Sequence, residues 1–144
     1  LGINNYYWKA IPDGLQHTEG GLYLRREDLA KIGYLFLRDG VWDGVRLLPE
    51  GWVKRSARPW VSFPTPENPD LKGGYGFQWW IIEAANGDVP MKYGGLGYGG
   101  QLLIIVPERD IVAVVNSWNI YEYSDQEKVG TPVVIIDHVI KAVH

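Results

Sequence analysis

Apolar and polar positions change rhythm several times along this chain. Residues 1–24 hold no sustained period: Gly2, Pro12, Gly14, Gly20 and Gly21 interrupt a series of aromatics, which reads as an ordered loop. From Arg26 to Asp39 a helical spacing takes over. Leu29, Ile32, Leu35 and Phe36 share one face, Glu27, Asp28, Lys31 and Arg38 lie mostly off it, and Gly40 supplies a stop. Val41 to Leu48 reads as a small hairpin round Asp43-Gly44. Pro49 suits a helix first turn, so Glu50 to Arg58 is expected to be a short helix with Trp52, Val53 and Ser56 along one side. Residues 59–74 hold four prolines (Pro59, Pro64, Pro66, Pro69) with Gly73 and Gly74, and read as a long surface loop.

The second half turns to sheet. Tyr75–Glu83 reads as one strand closed by a turn at Asn86-Gly87-Asp88, and Met91–Gly94 begins the next. Gln101–Val106 and Ile111–Trp118, joined through Pro107-Glu108-Arg109-Asp110, are continuously apolar, so both of their faces should be covered. Thr131-Pro132 opens a final helix whose stripe is Val133, Ile136, Val139, Ile140 and Val143. The layout is α+β: N-terminal helices, an antiparallel meander, and a C-terminal helix packed on the sheet. One domain over residues 1–144 follows, with a helical and loop part (1–74) and a sheet-plus-helix part (75–144).

Composition narrows the function classes. A chain of 144 residues can bury roughly 68–70% of its unfolded surface, enough for a real core. A net charge of −3 without any Lys/Arg run argues against a nucleic-acid partner. No apolar stretch approaches the roughly 20 residues of a membrane span. The absence of cysteine removes disulfides, thiolate metal sites and cysteine nucleophiles. Leu1-Gly2-Ile3 reads like the interior of a longer sequence, which leaves the compartment unreadable. Seven tryptophans raise an alternative, a stand-alone carbohydrate-binding module, against the plainer reading that aromatics fill a mixed core and line a cleft.

The densest chemistry lies in Met91-Lys92-Tyr93-Gly94-Gly95-Leu96-Gly97-Tyr98-Gly99-Gly100-Gln101. Glycines leave backbone N–H groups approachable, as an oxyanion site requires, although a glycine-written hairpin turn would look the same. Gly95 to Gly100 also satisfies G-x-G-x-x-G, but a strand rather than a helix follows, so a dinucleotide site is excluded. His17, His138 and His144 have no ligand spacing, and neither a metal nor another cofactor is expected. His138, beside Asp137, reads as a solvated polar position. Glu27-Asp28 and Glu122/Asp125/Glu127 read as helix-start and loop charges. Ser56, Ser62, Ser117 and Ser124 lie in no G-x-S-x-G and no S-x-x-K; Ser117-Trp118-Asn119 faintly matches S-x-N at a strand end.

Four segments in order resemble one family. Thr18-Glu19-Gly20-Gly21-Leu22-Tyr23-Leu24 through Asp28-Leu29-Ala30-Lys31-Ile32-Gly33 is similar to the "GGLY…DLA-K-G" segment of serine beta-lactamase-like hydrolases. That group includes class C beta-lactamases, penicillin-binding DD-peptidases and related esterases and amide hydrolases. Leu37 through Val53, with Gly40-Val41-Trp42 and Leu48-Pro49-Glu50-Gly51-Trp52-Val53, resembles "L-x-x-G-x-W-x-G-x-x-I-L-x-x-x-W-V". Tyr75-Gly76-Phe77-Gln78-Trp79-Trp80 resembles "YGYGWW", and Gly99-Gly100-Gln101 with Val106 to Val112 resembles "GGQ…VPE-x-DLVVV".

The resemblance implies three catalytic boxes: S-x-x-K for the nucleophile, Tyr-x-Asn or Ser-x-Asn for proton shuttling, and K-T-G or H-x-G on the site strand. It places the third box on Lys92-Tyr93-Gly94, with Lys92 as the site cation, Tyr93 in place of the usual Thr or Ser, and the Gly95 N–H as second oxyanion donor. A bulky Tyr93 there favours the esterase or amidase branches. The first two boxes are expected upstream of Leu1. The chain then reads as the C-terminal portion of a hydrolase acting on an ester, amide or peptide-like substrate through an acyl-enzyme, inactive alone. A catalytically dead homologue is a further possibility. An uncovered sheet edge or face would favour self-association.

Overall fold

The computed structural model describes residues 1–65, 68–83, 90–117 and 135–143. A short hairpin comes first: β1 (Tyr6–Trp8) pairs antiparallel with β2 (Leu22–Leu24), so the expected N-terminal loop carries strands at both ends. Helix α1 (Arg26–Leu37) has Glu27 and Asp28 in its first turn, where acids complement the helix dipole. The two-residue strands β3 (Val41–Trp42) and β4 (Val45–Arg46) make the expected hairpin, and α2 (Trp52–Ser56) is the short helix.

The main sheet has six strands in the order β10-β9-β8-β7-β6-β5, an antiparallel meander. They are β5 (Val61–Thr65), β6 (Asn68–Tyr75), β7 (Trp80–Glu83), β8 (Lys92–Leu96), β9 (Leu102–Val106) and β10 (Ile111–Val115). The expected loop over 59–74 is thus corrected to a hairpin. Pro64 is tolerated by position, on the edge strand of the sheet. The expected strand Tyr75–Glu83 is also divided. Tyr75 ends β6, residues 76–79 turn, and Trp80 begins β7 directly opposite Tyr75. The Asn86-Gly87-Asp88 turn, Trp118, Ser124, Glu122/Asp125/Glu127, the Thr131-Pro132 helix start, Val133 and His144 lie outside the described residues.

Both faces of the sheet are covered, as the continuous apolar runs require. On one face Ile81, Tyr93 and Ile105 pack with Phe36 and Leu37 of α1 and Val53 of α2. On the other, Leu102, Ile104 and Val106 pack with Ile136 and Ile140 of the final helix, α3 (residues 135–142). The expected α3 stripe is narrower than its spacing suggests: Ile136 and Ile140 are buried, whereas Val139 and Val143 are exposed. Strand β9 sits at the centre, with all five residues buried. Gly94 permits the β8–β9 approach, because a Cβ there would lie 1.9 Å from the Leu103 carbonyl oxygen.

Candidate active site

The register of β8 decides what its C-terminal end can offer. Successive residues of an antiparallel strand turn their N–H and C=O toward alternate neighbours. The Gly97 N–H donates to the Gln101 carbonyl at 2.7 Å, continuing the β8–β9 register in which Leu96 faces Leu102. Gly95 therefore turns its backbone groups toward Leu103 of β9, and Gly94 and Leu96 turn theirs toward β7. The partner of Gly94 is Trp80, the first residue of β7. Two residues farther along, Leu96 has no strand beside it on the β7 side. Among the described residues its N–H is unpaired, and Leu96 lines a cleft of about 310 Å³.

Two walls complete that cleft. The first is the turn joining β6 to β7. Gly76 N–H donates to the Trp79 carbonyl (2.8 Å), Phe77 N–H to the Ser56 carbonyl (2.8 Å), and Gln78 N–H to the Gly76 carbonyl (3.1 Å). Position 76 must be glycine, since a Cβ would sit 2.1 Å from the Ser56 carbonyl oxygen. Gln78 has φ +63°, left-handed backbone in a residue that is not glycine. The Tyr75 hydroxyl donates to Gln78 Oε1 at 3.1 Å, and the Tyr75 ring meets Trp80 edge-on with centroids 4.9 Å apart. Tyr75, Gln78 and Trp80 all line the cleft.

The second wall is Trp8 with residues 17–20 and Leu22. It is held by Trp8 Nε1–H donating to the His17 carbonyl (2.9 Å), by the Lys9 N–H donating to the Gly21 carbonyl and by the His17 N–H donating to the Lys9 carbonyl. His17 Nε2 lies 3.4 Å from Glu19 Oε1, and His17 Nδ1 is buried with no partner among the described residues. At the far end, Gln101 locks the glycine turn: Oε1 accepts from the Gly99 N–H, and Nε2 donates to the Ser117 carbonyl.

The expected third-box residues are distributed differently. Lys92 is 1% exposed and its ammonium lies 2.6 Å from Asp137 Oδ1 on α3. This is charge pairing at short distance without the direction of a hydrogen bond. Lys92 shares a sheet face with Leu96 but is four residues, roughly 13 Å, away along the strand, beneath α3. Tyr93 points to the opposite face, where it meets Trp79 edge-on (5.6 Å, 86°) and packs on Ile81 and Ile105. Burial, with a smaller contribution from the Asp39 carboxylate, pushes its phenol up to about 12. Gly94 is buried between strands, and of the four positions only Gly95 borders the cleft. The residues missed were Leu96, Gln78 and Asp137. A lone lysine in an apolar strand and an acid beside an apolar helical stripe were the available signals for the last. Ser56 is buried and donates to the Val53 carbonyl, and no described serine lines the cleft. No group of three or more His, Cys, Asp or Glu capable of holding a metal occurs among the described residues.

Comparison with known proteins decides the family. Residues 4–126 match the model of the Beta-lactamase family. The chain belongs to that family. A 6-aminohexanoate-dimer hydrolase of Paenarthrobacter ureafaciens is 34% identical over 113 residues, covering 73% of this chain and 27% of the relative. An uncharacterized protein of Alkalihalophilus pseudofirmus is 28% identical over 120 residues, covering 78% of this chain and 34% of that protein. In three dimensions the family fold recurs in a Bacillus anthracis protein provisionally described as a 6-aminohexanoate-dimer hydrolase. That likeness has a TM-score of 0.68 at 23% identity, over 94% of this chain and 34% of the other. The chain spans about a third of the length of these relatives. It is beta-lactamase-like and hydrolase-related, and the comparisons lend no support to a stand-alone sugar-binding module.

Proposed function

We propose that this chain supplies the oxyanion-side wall of a serine-hydrolase active site acting on a small ester or amide. The observation that carries the reading is the unpaired Leu96 N–H at the end of β8, open to a cleft in a beta-lactamase-family chain. A serine hydroxyl from another part of the longer protein attacks the substrate carbonyl carbon, and the carbonyl oxygen takes up negative charge. A fixed N–H aimed at that oxygen stabilises the charge without reorganising. The leaving alcohol or amine departs with a proton, and water then releases the acyl group from the serine. Leu96 takes the donor role expected of Gly95, whose N–H is directed to the β9 ladder.

Lys92 is assigned no contact with substrate, because Asp137 holds it beneath α3. Tyr93 faces the α1/α2 side and places no phenol in the cleft. The relative named for acting on a 6-aminohexanoate dimer steers the proposal toward the ester and amide branches and away from beta-lactams. By itself the 144-residue chain is proposed to turn over nothing.

The test uses the full-length protein carrying this chain, with p-nitrophenyl esters and p-nitroanilides as substrates and a fluorophosphonate as active-site label. Labelling of one serine outside this chain is expected, together with hydrolysis. Leu96→Pro, which removes an N–H directed away from β9 and beyond the start of β7, should lower kcat by roughly 10²–10³ with the fold kept by circular dichroism. Labelling at Ser56, Ser62, Ser117 or Ser124, or undiminished turnover by Leu96→Pro, overturns the assignment.

A further inference from the structure

Gln78 occupies a position that opposes its own residue type. At φ +63° a side chain crowds the backbone, and glycine is the residue that adopts such a conformation without strain. Strained backbone persists only where its surroundings over-determine it, and here they do. The turn is fixed on both sides by the Gly76–Trp79 and Phe77–Ser56 backbone bonds and by the Gly76 contact that forbids a Cβ.

The consequence for the cleft is direct. Continuing the β7–β8 register past Trp80–Gly94 would set Gln78 opposite Leu96 and pair the Leu96 N–H. The left-handed turn takes the Gln78 backbone out of that ladder and so leaves the Leu96 N–H open. It also places the Gln78 side chain on the cleft wall beside Trp80, Tyr75 and Leu96. There the Tyr75 hydroxyl donates to Oε1, and Nε2, with two N–H donors, has no partner among the described residues.

We propose that Gln78 is a substrate-positioning residue: its Nε2 donates to a second acceptor on the substrate, a carbonyl or carboxylate oxygen near the scissile carbonyl that Leu96 receives. The substrate class this selects is an ester or amide with another acceptor oxygen close to the scissile bond, such as an N-acylamino acid derivative, over a simple alkyl ester. The inference rests on the hydrolase reading above.

The experiment compares p-nitrophenyl acetate with the p-nitrophenyl ester of an N-acetylamino acid in the full-length protein and three variants. Gln78→Gly deletes the donor and relieves the backbone; Gln78→Glu keeps the length and replaces the donors by an acceptor; Tyr75→Phe releases the amide. For the N-acetylamino ester, Gln78→Gly and Gln78→Glu should each raise KM about tenfold with kcat within about twofold. Tyr75→Phe should raise it about threefold, and in each variant the loss on the N-acetylamino ester should exceed the loss on the acetate ester. Gln78→Gly should melt at the same temperature or higher, which a structural role for the side chain would not allow. An unchanged KM in Gln78→Gly, or equal losses on both esters, overturns the proposal while leaving the hydrolase reading in place. Absence of any hydrolysis by the unmodified full-length protein overturns both.

Discussion

Strands β9 and β1 are both short and apolar, yet they have opposite fates. Leu102, Leu103, Ile104, Ile105 and Val106 are all buried, while Tyr6, Tyr7 and Trp8 are all exposed. Side-chain chemistry separates them in part, since β1 carries rings with polar tips and β9 only aliphatic groups, and neighbours do the rest. β9 has a strand on each side and a helix layer on each face, so each of its side chains is enclosed. β1 belongs to a two-stranded sheet with no helix packed on it among the described residues, and its partner β2 leaves Leu22 and Tyr23 exposed as well. An aliphatic strand thus makes a core in one region and an aromatic hairpin an exposed surface in the other, in a chain that spans about a quarter to a third of its relatives. The cleft lies between the two regimes, with β8 supplying its rigid wall and the β1–β2 hairpin its exposed one.

The comparison breaks most sharply where β9 depends on close approach. Gly94→Val would force a Cβ to within 1.9 Å of the Leu103 carbonyl oxygen, a backbone atom that cannot yield without parting β8 from β9. A loss of about 4 kcal/mol or more is expected, read as failure to fold or as a collapsed midpoint in urea. A near-native midpoint would show that β9 does not need its neighbour at that spacing. Ile104→Ala comes next. The side chain is fully enclosed between Val106, Leu102 and α3, and its truncation should cost about 3 kcal/mol with an unchanged denaturant slope.

Lys92→Met tests how α3 is held to the sheet. The ion pair is one-sided: Lys92 is 1% exposed, whereas the Asp137 side chain keeps 33% of its surface in water. Breaking a wholly buried pair costs about 3–5 kcal/mol, but here water can reach Asp137, so a loss of about 1–3 kcal/mol is expected. Amide exchange should accelerate selectively over residues 135–142. If stability is unchanged while hydrolysis by the full-length protein disappears, Lys92 reaches the substrate after all and the expectation from the sequence is restored.

An alkaline titration reads the Tyr93 environment. Its phenol is pushed up to about 12 from 10, so the folded state holds the proton more tightly than the unfolded one. The contribution is complete below pH 10 and is lost as the pH rises from about 10 to 12, by about 2–3 kcal/mol. Tyr93→Phe should flatten that fall. An unaltered alkaline limb in the variant would place the titrating group elsewhere.

The two regions also differ in how far their sequences could be read. The runs Leu102–Val106 and Ile111–Val115 are continuous, and continuity alone requires cover on both faces, which α1, α2 and α3 provide. The β5–β6 hairpin was hidden because four prolines outweigh local strand signals, and only the pairing of β6 with β5 across the bulge reveals it. At the cleft the difficulty is of another kind. The role proposed for Leu96 runs through a backbone N–H, and whether that group is open depends on where β7 begins, just after the left-handed Gln78. Side-chain motifs cannot report this. They directed attention to Lys92 and Tyr93, whose surroundings come from Asp137 and from Trp79, outside the motif altogether.

The smallest effect on stability should come from the exposed hairpin, and there the expected change is in association. Tyr7 and Tyr23 are register partners with ring centroids 5.6 Å apart, 63% and 60% exposed, on a two-stranded sheet whose backbone edges are open. An aromatic surface with unpaired strand edges favours pairing with a second copy when nothing else covers it. We propose that the isolated 144-residue chain self-associates through this hairpin, with sedimentation that depends on concentration in the micromolar range. The double variant Tyr7→Ser, Tyr23→Ser should sediment as a monomer at every concentration, with a change in unfolding free energy within about 0.5 kcal/mol. Ile104→Ala, by contrast, should lower stability without separating the copies. If both variants associate equally, the contact lies on another surface, and exposure in β1–β2 is not what distinguishes this region from β9.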